Sequence, residues 1–285
     1  MIIPRPLPRV IPRPAPAWVA AISGPSLDPD AADIVSRIQA ADGQALVPDI
    51  VLAIDALVLG LKEDASPKTG VTQWQASESL TVPAVARTLA GAMVPWRGPA
   101  MTQFNFVTDD YNRVTGLKGD GSTKYINSNR NHNTDAQNNQ HTYMRLTDLD
   151  TVDATTALFG AGATSSGTTQ ISVGDLSDGR YFARSQNGGS DNVSNIIGTG
   201  INGISRGSAS MYRFRTGQTS ANISTSSQTP FNGNMIYFGR NSATNVPGAF
   251  SNCRANVLSS GSDIDFAAME ARWDTFFAAV AAALA

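Results

Sequence analysis

The chain holds three glutamates, Glu63, Glu78 and Glu270. Glycoside hydrolysis needs two carboxyl groups flanking the scissile bond. Glutamates this far apart in sequence supply no closely spaced pair on one strand. Asp148, Asp150 and Asp153 are near one another and leave two readings open, an aspartate pair or a solvated acidic turn. The same run, or Asp109, Asp110 and Asp120, could offer oxygen ligands to Ca²⁺, although no loop has the regular spacing of a calcium motif. No other cofactor is indicated. Gly203-Ile204-Ser205-Arg206-Gly207 matches the string of a nucleophile elbow. That chemistry puts the serine on a strand-to-helix turn with a histidine later in the chain. Here the next segment is strand-like, and His132 and His141 both come earlier, so the match reads as a turn. Gly198 to Gly203 matches a phosphate-binding glycine string, but no helix start follows to receive an anion. Two histidines and the single Cys253 are too scattered for a zinc site. His132 reads as part of an exposed polar loop.

These residues must be carried by elements that the pattern predicts. Residues 3–18 repeat one octad, IPRPLPRV then IPRPAPAW. Its prolines fix φ and remove backbone donors, which predicts an extended polyproline II arm. Pro4, Arg5, Pro6, Pro8, Arg9, Pro12, Arg13, Pro14 and Trp18 are the candidate partner-binding residues. A stiff arm loses less entropy on docking, and Trp18 gives it something to bury. Residues 26–94 read as a helical anchoring region. One helix is expected over Ser26–Gly43, capped by Asp28 and stopped by Gly43. A second is expected from Pro48 to about Glu63, and a third through Trp74, Leu80, Val85 and Leu89, with Pro83 inside it.

Residues 95–285 shift to a period of two. Strands are expected at Phe104–Val107, Lys124–Ile126, Thr142–Leu146, Ala157–Gly160, Gln170–Val173, Arg180–Arg184, Ser210–Arg215, Met235–Gly239 and Cys253–Leu258. Asp120, between Gly119 and Gly121, marks a sharp turn. Asn127–Gln140 is expected to be a surface connection. A final helix is expected over Ser262–Leu284, with Ser262 and Asp265 at capping-box spacing. Many short strands with frequent turn signals predict a mainly β sandwich or barrel.

Composition narrows function. Hydrophobic residues make up 41% and charged residues 15%, with a net charge of -2. Such a chain forms a core but generates no field to steer nucleic acid. No apolar run reaches the roughly 18 residues of a membrane span, and the N-terminus lacks a signal-peptide pattern. The lone cysteine rules out an internal disulfide framework and fits folding in a reducing cytoplasm. Polar loops with Tyr, Trp, Asn and Asp fit a shallow sugar site or a merely soluble loop equally.

The order of segments resembles a group of tailed-bacteriophage virion proteins with a concanavalin A-like, laminin-G-like jelly roll. Four stretches carry the resemblance: AIDALVLGLKED followed by Trp74; FNFVTDDYNRVTGLKGDGSTKYINSN; NMIYFGRNSATNVPGAFSN; and CRANVLSS leading into the last helix. They span roughly Ile50 to the C-terminus. KEDASPKTGVTQW stands where the family has a compact turn, and the Pro-Arg arm matches no family pattern. The resemblance implies a β-sandwich on the virion, in a decoration, fibre, spike or tail-tip role; with no glutamate pair in the sandwich, the expectation is a non-enzymatic fibre, spike or tail appendage, with host surface glycan as a candidate contact. Its expected partners are other virion proteins, gripped through the arm, and further copies of itself, with a trimer expected by analogy with fibre proteins. Two alternatives remain, a capsid decoration protein and a polysaccharide-degrading virion enzyme.

Overall fold

The computed structural model describes residues 26–68, 70–149, 156–162, 166–173, 181–189, 191–193, 198–217, 219–242 and 246–285. The Pro-Arg arm lies outside the described residues, as do Asp150 and Asp153.

Two helices open the described chain, α1 (Pro29–Asp42) and α2 (Pro48–Glu63). The Asp28 side chain caps α1 by accepting from the Asp30 amide, and Gly43 ends it at φ 68°, a conformation glycine adopts without steric cost. The expected third helix is not one helix. It is α3 (Gln73–Ala76), β1 (Ser79–Thr81) and α4 (Leu89–Ala92). Val85, between β1 and α4, takes φ 61°, which no right-handed helix allows. The Ser79–Thr81 stretch pairs antiparallel with a strand near the C-terminus instead.

The remaining strands are β2 (Pro95–Arg97), β3 (Thr102–Phe104), β4 (Tyr111–Asn112), β5 (Gly116–Lys118), β6 (Tyr125–Asn131) and β7 (Gln140–Asp148). They continue with β8 (Thr156–Ala161), β9 (Thr168–Val173), β10 (Tyr181–Asn187), β11 (Asp191–Val193), β12 (Gly200–Arg206) and β13 (Met211–Thr216). Last come β14 (Thr219–Ser224), β15 (Asn234–Tyr237), β16 (Arg240–Asn241), β17 (Pro247–Gly248) and β18 (Arg254–Gly261), then helix α5 (Phe266–Leu284). The fold is a mainly β, jelly-roll-like sandwich of two sheets. One sheet runs β14-β13-β12-β7-β18-β1-β2, and the other runs β11-β10-β9-β8-β15-β6-β3.

Side-chain alternation sorts the strands into two cores. Met144, Leu146, Leu158, Phe159, Ile171 and Tyr237 fill the space between the sheets. On the other face of the first sheet, Tyr143, Ile201 and Val257 meet Phe266, Met269 and Trp273 of α5, together with the apolar faces of α1 and α2. The centre of the first sheet is therefore buried on both sides: β12 reads as a continuous buried run and β7 is buried over most of its length, while the edge strand β14 stays exposed. Gly203 permits the close seat of α5: a Cβ there would lie 2.5 Å from the Tyr143 Cβ and 2.9 Å from the Phe266 ring.

Two expectations shift at the ends of elements. The strand expected at Phe104–Val107 lies earlier, at β3, and a 3₁₀ turn follows at Thr108–Asp110. The last helix begins at Phe266, capped by the Asp265 side chain alone. Ser262 is drawn away because its hydroxyl donates to Glu78 Oε1 at 2.6 Å.

Candidate functional site

At one end of the second sheet, β3 and the outward residues of β6 are partly exposed, while β15 beside them is largely buried. Along β6, Ile126 and Ser128 point inward and are fully buried, while Tyr125 and Asn127 face out and are half-buried. In the antiparallel register Ile236 stands opposite Asn127, and Asn234 opposite Asn131. With Asn232 and Asn241 these side chains line a cleft of about 250 Å³, and none of its lining residues is charged.

Several of the amides are held by neighbours. Asn131 Nδ2 donates to Asn232 Oδ1 at 2.7 Å, and Asn131 Oδ1 accepts from the Gly233 and Asn133 amides at 3.1 and 2.9 Å. Asn241 Nδ2 donates to the Asn234 carbonyl at 3.0 Å. Asn127 Oδ1 accepts from the Asn129 amide at 2.9 Å. Asn129 sits at φ 54°, a conformation asparagine tolerates better than most residues. The Asn127 Nδ2 group, the Asn234 side-chain amide and the Tyr125 hydroxyl bond to no described residue.

Tyr125, on the cleft wall, belongs to an aromatic row whose other members do not line the cleft. Phe104 on β3 pairs with Tyr125 on β6, and their rings stack at 4.4 Å and 10°. Phe250 lies 5.9 Å from the Tyr125 ring. Phe104 is 37% exposed, unusual for a stacked phenylalanine in a folded chain.

Other groups with chemical potential are committed to structure. Ser205 lies on β12, buried, and its hydroxyl bonds Asp263 while accepting from the Ile264 amide at 3.0 Å. It sits within a strand, not at an elbow. Gly200 and Gly203 likewise belong to β12. His132 is a correction: it is buried, not exposed, with Nδ1 3.0 Å from Asp135 Oδ2. Part of the expected connection Asn127–Gln140 is the second half of β6. His141 is fully buried on β7. Its Nδ1 donates to the Ser262 carbonyl, and its Nε2 accepts from the Ser259 hydroxyl at 2.9 Å. Burial holds the His141 imidazole down at about 4.

The acids are equally dispersed. Glu63 is exposed, 3.9 Å from Arg272. Glu78 pairs with Arg130 at 2.7 Å. Glu270 on α5 lies 3.3 Å from Arg145 and 3.5 Å from Arg215, and burial raises its carboxyl above the ordinary value. Asp110 pairs with Lys124 at 2.6 Å, and Asp148 with Lys118 at 2.9 Å. Asp120 is bound by its own turn, accepting from the amides of Ser122, Thr123 and Lys124 at 2.8–2.9 Å. Among the described residues no three acidic, histidine or cysteine side chains gather as a metal site, and no helix is long and apolar enough to cross a membrane.

A larger cleft of about 490 Å³ lies among the helices, with Trp74 and Trp96 in its wall. Its polar groups are used internally. Lys62 contacts Asp28 and Asp30 at 2.7 Å, Trp74 Nε1 donates to Asp30 at 2.9 Å, and the Arg97 guanidinium covers the Trp74 ring at 5.2 Å. The asparagine cleft and the aromatic row went unrecognised in the sequence. The only signal there was the alternation of Tyr125, Asn127 and Asn129 with inward-facing residues.

No family model matches this chain, and no curated protein matches it. Among solved structures it is similar to Trypanosoma rangeli sialidase in complex with 2,3-difluorosialic acid, with a TM-score of 0.44 and 11% identity over 80% of this chain and 38% of the sialidase. A mutant of the same sialidase displaying trans-sialidase activity gives the same values. A mutant NanB sialidase from Streptococcus pneumoniae gives a TM-score of 0.36 and 13% identity over 52% of this chain and 26% of that one. The chain thus spans about two fifths, or less, of the length of these enzymes. Likeness this distant carries no activity over to this chain.

Proposed function

We propose that this chain is a non-enzymatic structural component of a tailed-bacteriophage virion, a fibre, spike or tail appendage made in the host cytoplasm. The observation that supports this most is the one-sidedness of the sandwich. Helices α1, α2 and α5 pack on the centre of the first sheet, whereas β3 and the outward residues of β6 in the second are partly exposed beside an uncharged cleft. Such a module suits a part that is held on one side and presents the other. The Pro-Arg arm and the helical layer do the holding, against other virion proteins and further copies of the chain. Supporting the non-enzymatic part of this reading, Glu63, Glu78 and Glu270 are divided among separate ion pairs.

Two assays test the proposal. Purified virions should contain the chain at a fixed stoichiometry, and particles assembled without it should lose an appendage or adsorb poorly. The isolated chain should release no reducing sugar from host envelope polysaccharide. Release of sugar at enzymatic turnover would replace this reading with a hydrolase.

A further inference from the structure

We propose that the outer face of α2 is a socket for the Pro-Arg arm of a second copy of this chain. This deepens the reading that the arm holds neighbouring copies, and rests on it.

The socket is visible on α2 itself. Asp49, Leu52, Ala56, Leu59 and Glu63 recur at the alternating three- and four-residue spacing that lines one helix face. All five are exposed, Leu52 by 49% and Leu59 by 43%. Covering such leucines with a partner is favourable. On one flank of the stripe a cleft of about 120 Å³ opens toward α5, lined by Ala56, Leu57, Phe276 and Ala279 among others. It has room for one aliphatic side chain. An acid stands at each end of the stripe. Glu63 stays open to a partner, because Arg272, 3.9 Å away, is held by both oxygens of Asp64 at 2.8 and 2.9 Å.

Charge decides the occupant. Two copies of α2 packed face to face would set acid against acid at both ends, whether parallel or antiparallel, and like charges reject a partner. The stretch before Asp28 contains no acid and three arginines, Arg5, Arg9 and Arg13. As polyproline II, with three residues per turn, it puts Leu7, Val10 and Arg13 on one edge and Arg5 and Ile11 on the next, with Arg9 on the third. Two edges laid on α2 therefore offer an apolar centre with a cation at each end, the complement of the stripe. The lengths agree as well. Arg5 to Arg13 spans about 25 Å in polyproline II, and Asp49 to Glu63 about 21 Å along a helix.

The exit of the arm points to a neighbour's socket. The Asp28 amide donates to Asp55 Oδ1 at 2.6 Å, so the arm leaves beside the middle of its own α2. Pro12, Pro14 and Pro16 keep the course beyond Arg13 extended, so an arm lying on its own α2 would have to double back. Residues 14–25 reach about 40 Å when extended, enough to bridge to the α2 of a copy alongside.

The test uses the full chain and reverses charge on each side. One variant carries Arg5→Glu and Arg13→Glu, the other Asp49→Arg and Glu63→Arg, and sedimentation follows association. The native chain should self-associate. Each variant alone should associate about tenfold or more weakly, because like charges then meet. An equimolar mixture should recover the native affinity, because each arm then meets an opposite socket, and such recovery cannot come from misfolded parts. Chains with Leu7→Cys mixed with chains carrying Ala56→Cys should give a disulfide-linked heterodimer on mild oxidation. A native chain that stays monomeric, variants that associate like it, a mixture no better than its parts, or a Leu7→Cys/Ala56→Cys chain that links only within itself would overturn the proposal. Its fate is separable from that of the virion reading: an arm-linked chain absent from particles would sink only the latter, and a chain built into particles without arm exchange only the former.

Discussion

Trp273 of α5 donates its indole Nε1–H to the Tyr143 hydroxyl of β7 at 3.0 Å, and both side chains are fully buried. This contact pins the C-terminal helix to the middle of the first sheet. Phe266, Phe276 and Phe277 surround it, with ring centroids 5.9 Å and 6.0 Å from Trp273 for the last two. Replacing Trp273 by Ala should cost about 3–5 kcal/mol from lost burial and the cavity left behind. Tyr143→Phe should cost about 1–3 kcal/mol, because the buried indole donor then has no acceptor. Urea unfolding of both variants checks these values and their order.

His141 makes stability sensitive to acid. Its folded value of about 4 lies below the ordinary 6.5, chiefly through burial, opposed by the bond to the Ser262 carbonyl and the nearby Asp135 and Asp263 and assisted by Arg130. The neutral ring is the folded form. The unfolded chain therefore takes up a proton first as pH falls. The stabilising contribution is whole above pH 6.5 and is lost between 6.5 and about 4, by an amount on the order of 3 kcal/mol at most. His141→Asn should be less stable at neutral pH but should lack this part of the slope, as read from urea midpoints taken from pH 7 to pH 4.5.

Gly203→Ala should unseat α5, since the new methyl meets Tyr143 and Phe266 well inside contact distance. A cost of about 1–3 kcal/mol or more is expected. Ser205→Ala, two residues on, removes a hydroxyl that bonds Asp263 and the Ile264 amide. It should lower stability by about 1–3 kcal/mol. Thermal melts of the two variants, with an ester substrate assayed in parallel, separate this structural role from a nucleophile's role. Loss of a measurable esterase activity in Ser205→Ala would contradict it.

Asp120 organises the turn between β5 and β6. Three backbone amides and the Thr123 hydroxyl donate to it, and these bonds hold its carboxyl far below the ordinary carboxylate value against a burial effect. The group's contribution is present above the unfolded value and disappears as pH falls through the folded one. Because the residue is exposed, Asp120→Ala should cost only about 1–2 kcal/mol, and Asp120→Asn less, as measured by denaturant titration at neutral pH.

Local rules carried α1 and α2, whose boundaries follow Asp28, Gly43 and Pro48 closely. Long-range pairing governs the elements that local rules do not. Ser79–Thr81 became a strand because β18, far along the chain, offered it an edge. Strand β12, GINGISR, has two glycines and no alternation because α5 covers one face and the second sheet the other, so its pattern looked like a turn. The asparagine cleft was hidden for a related reason. Asparagines favour loops when read singly, and Asn131 meets Asn232 from 101 residues away. The dispersal of the glutamates, by contrast, was legible from their number and spacing alone.

The most direct test of the account is electron microscopy of purified virions with an antibody raised against the β3–β6–β15 face. Intact particles should be labelled at a regular appendage, with that face open to the antibody and the helical side turned toward the particle. Particles that carry none of the chain, or that carry it with the cleft facing inward, would contradict it.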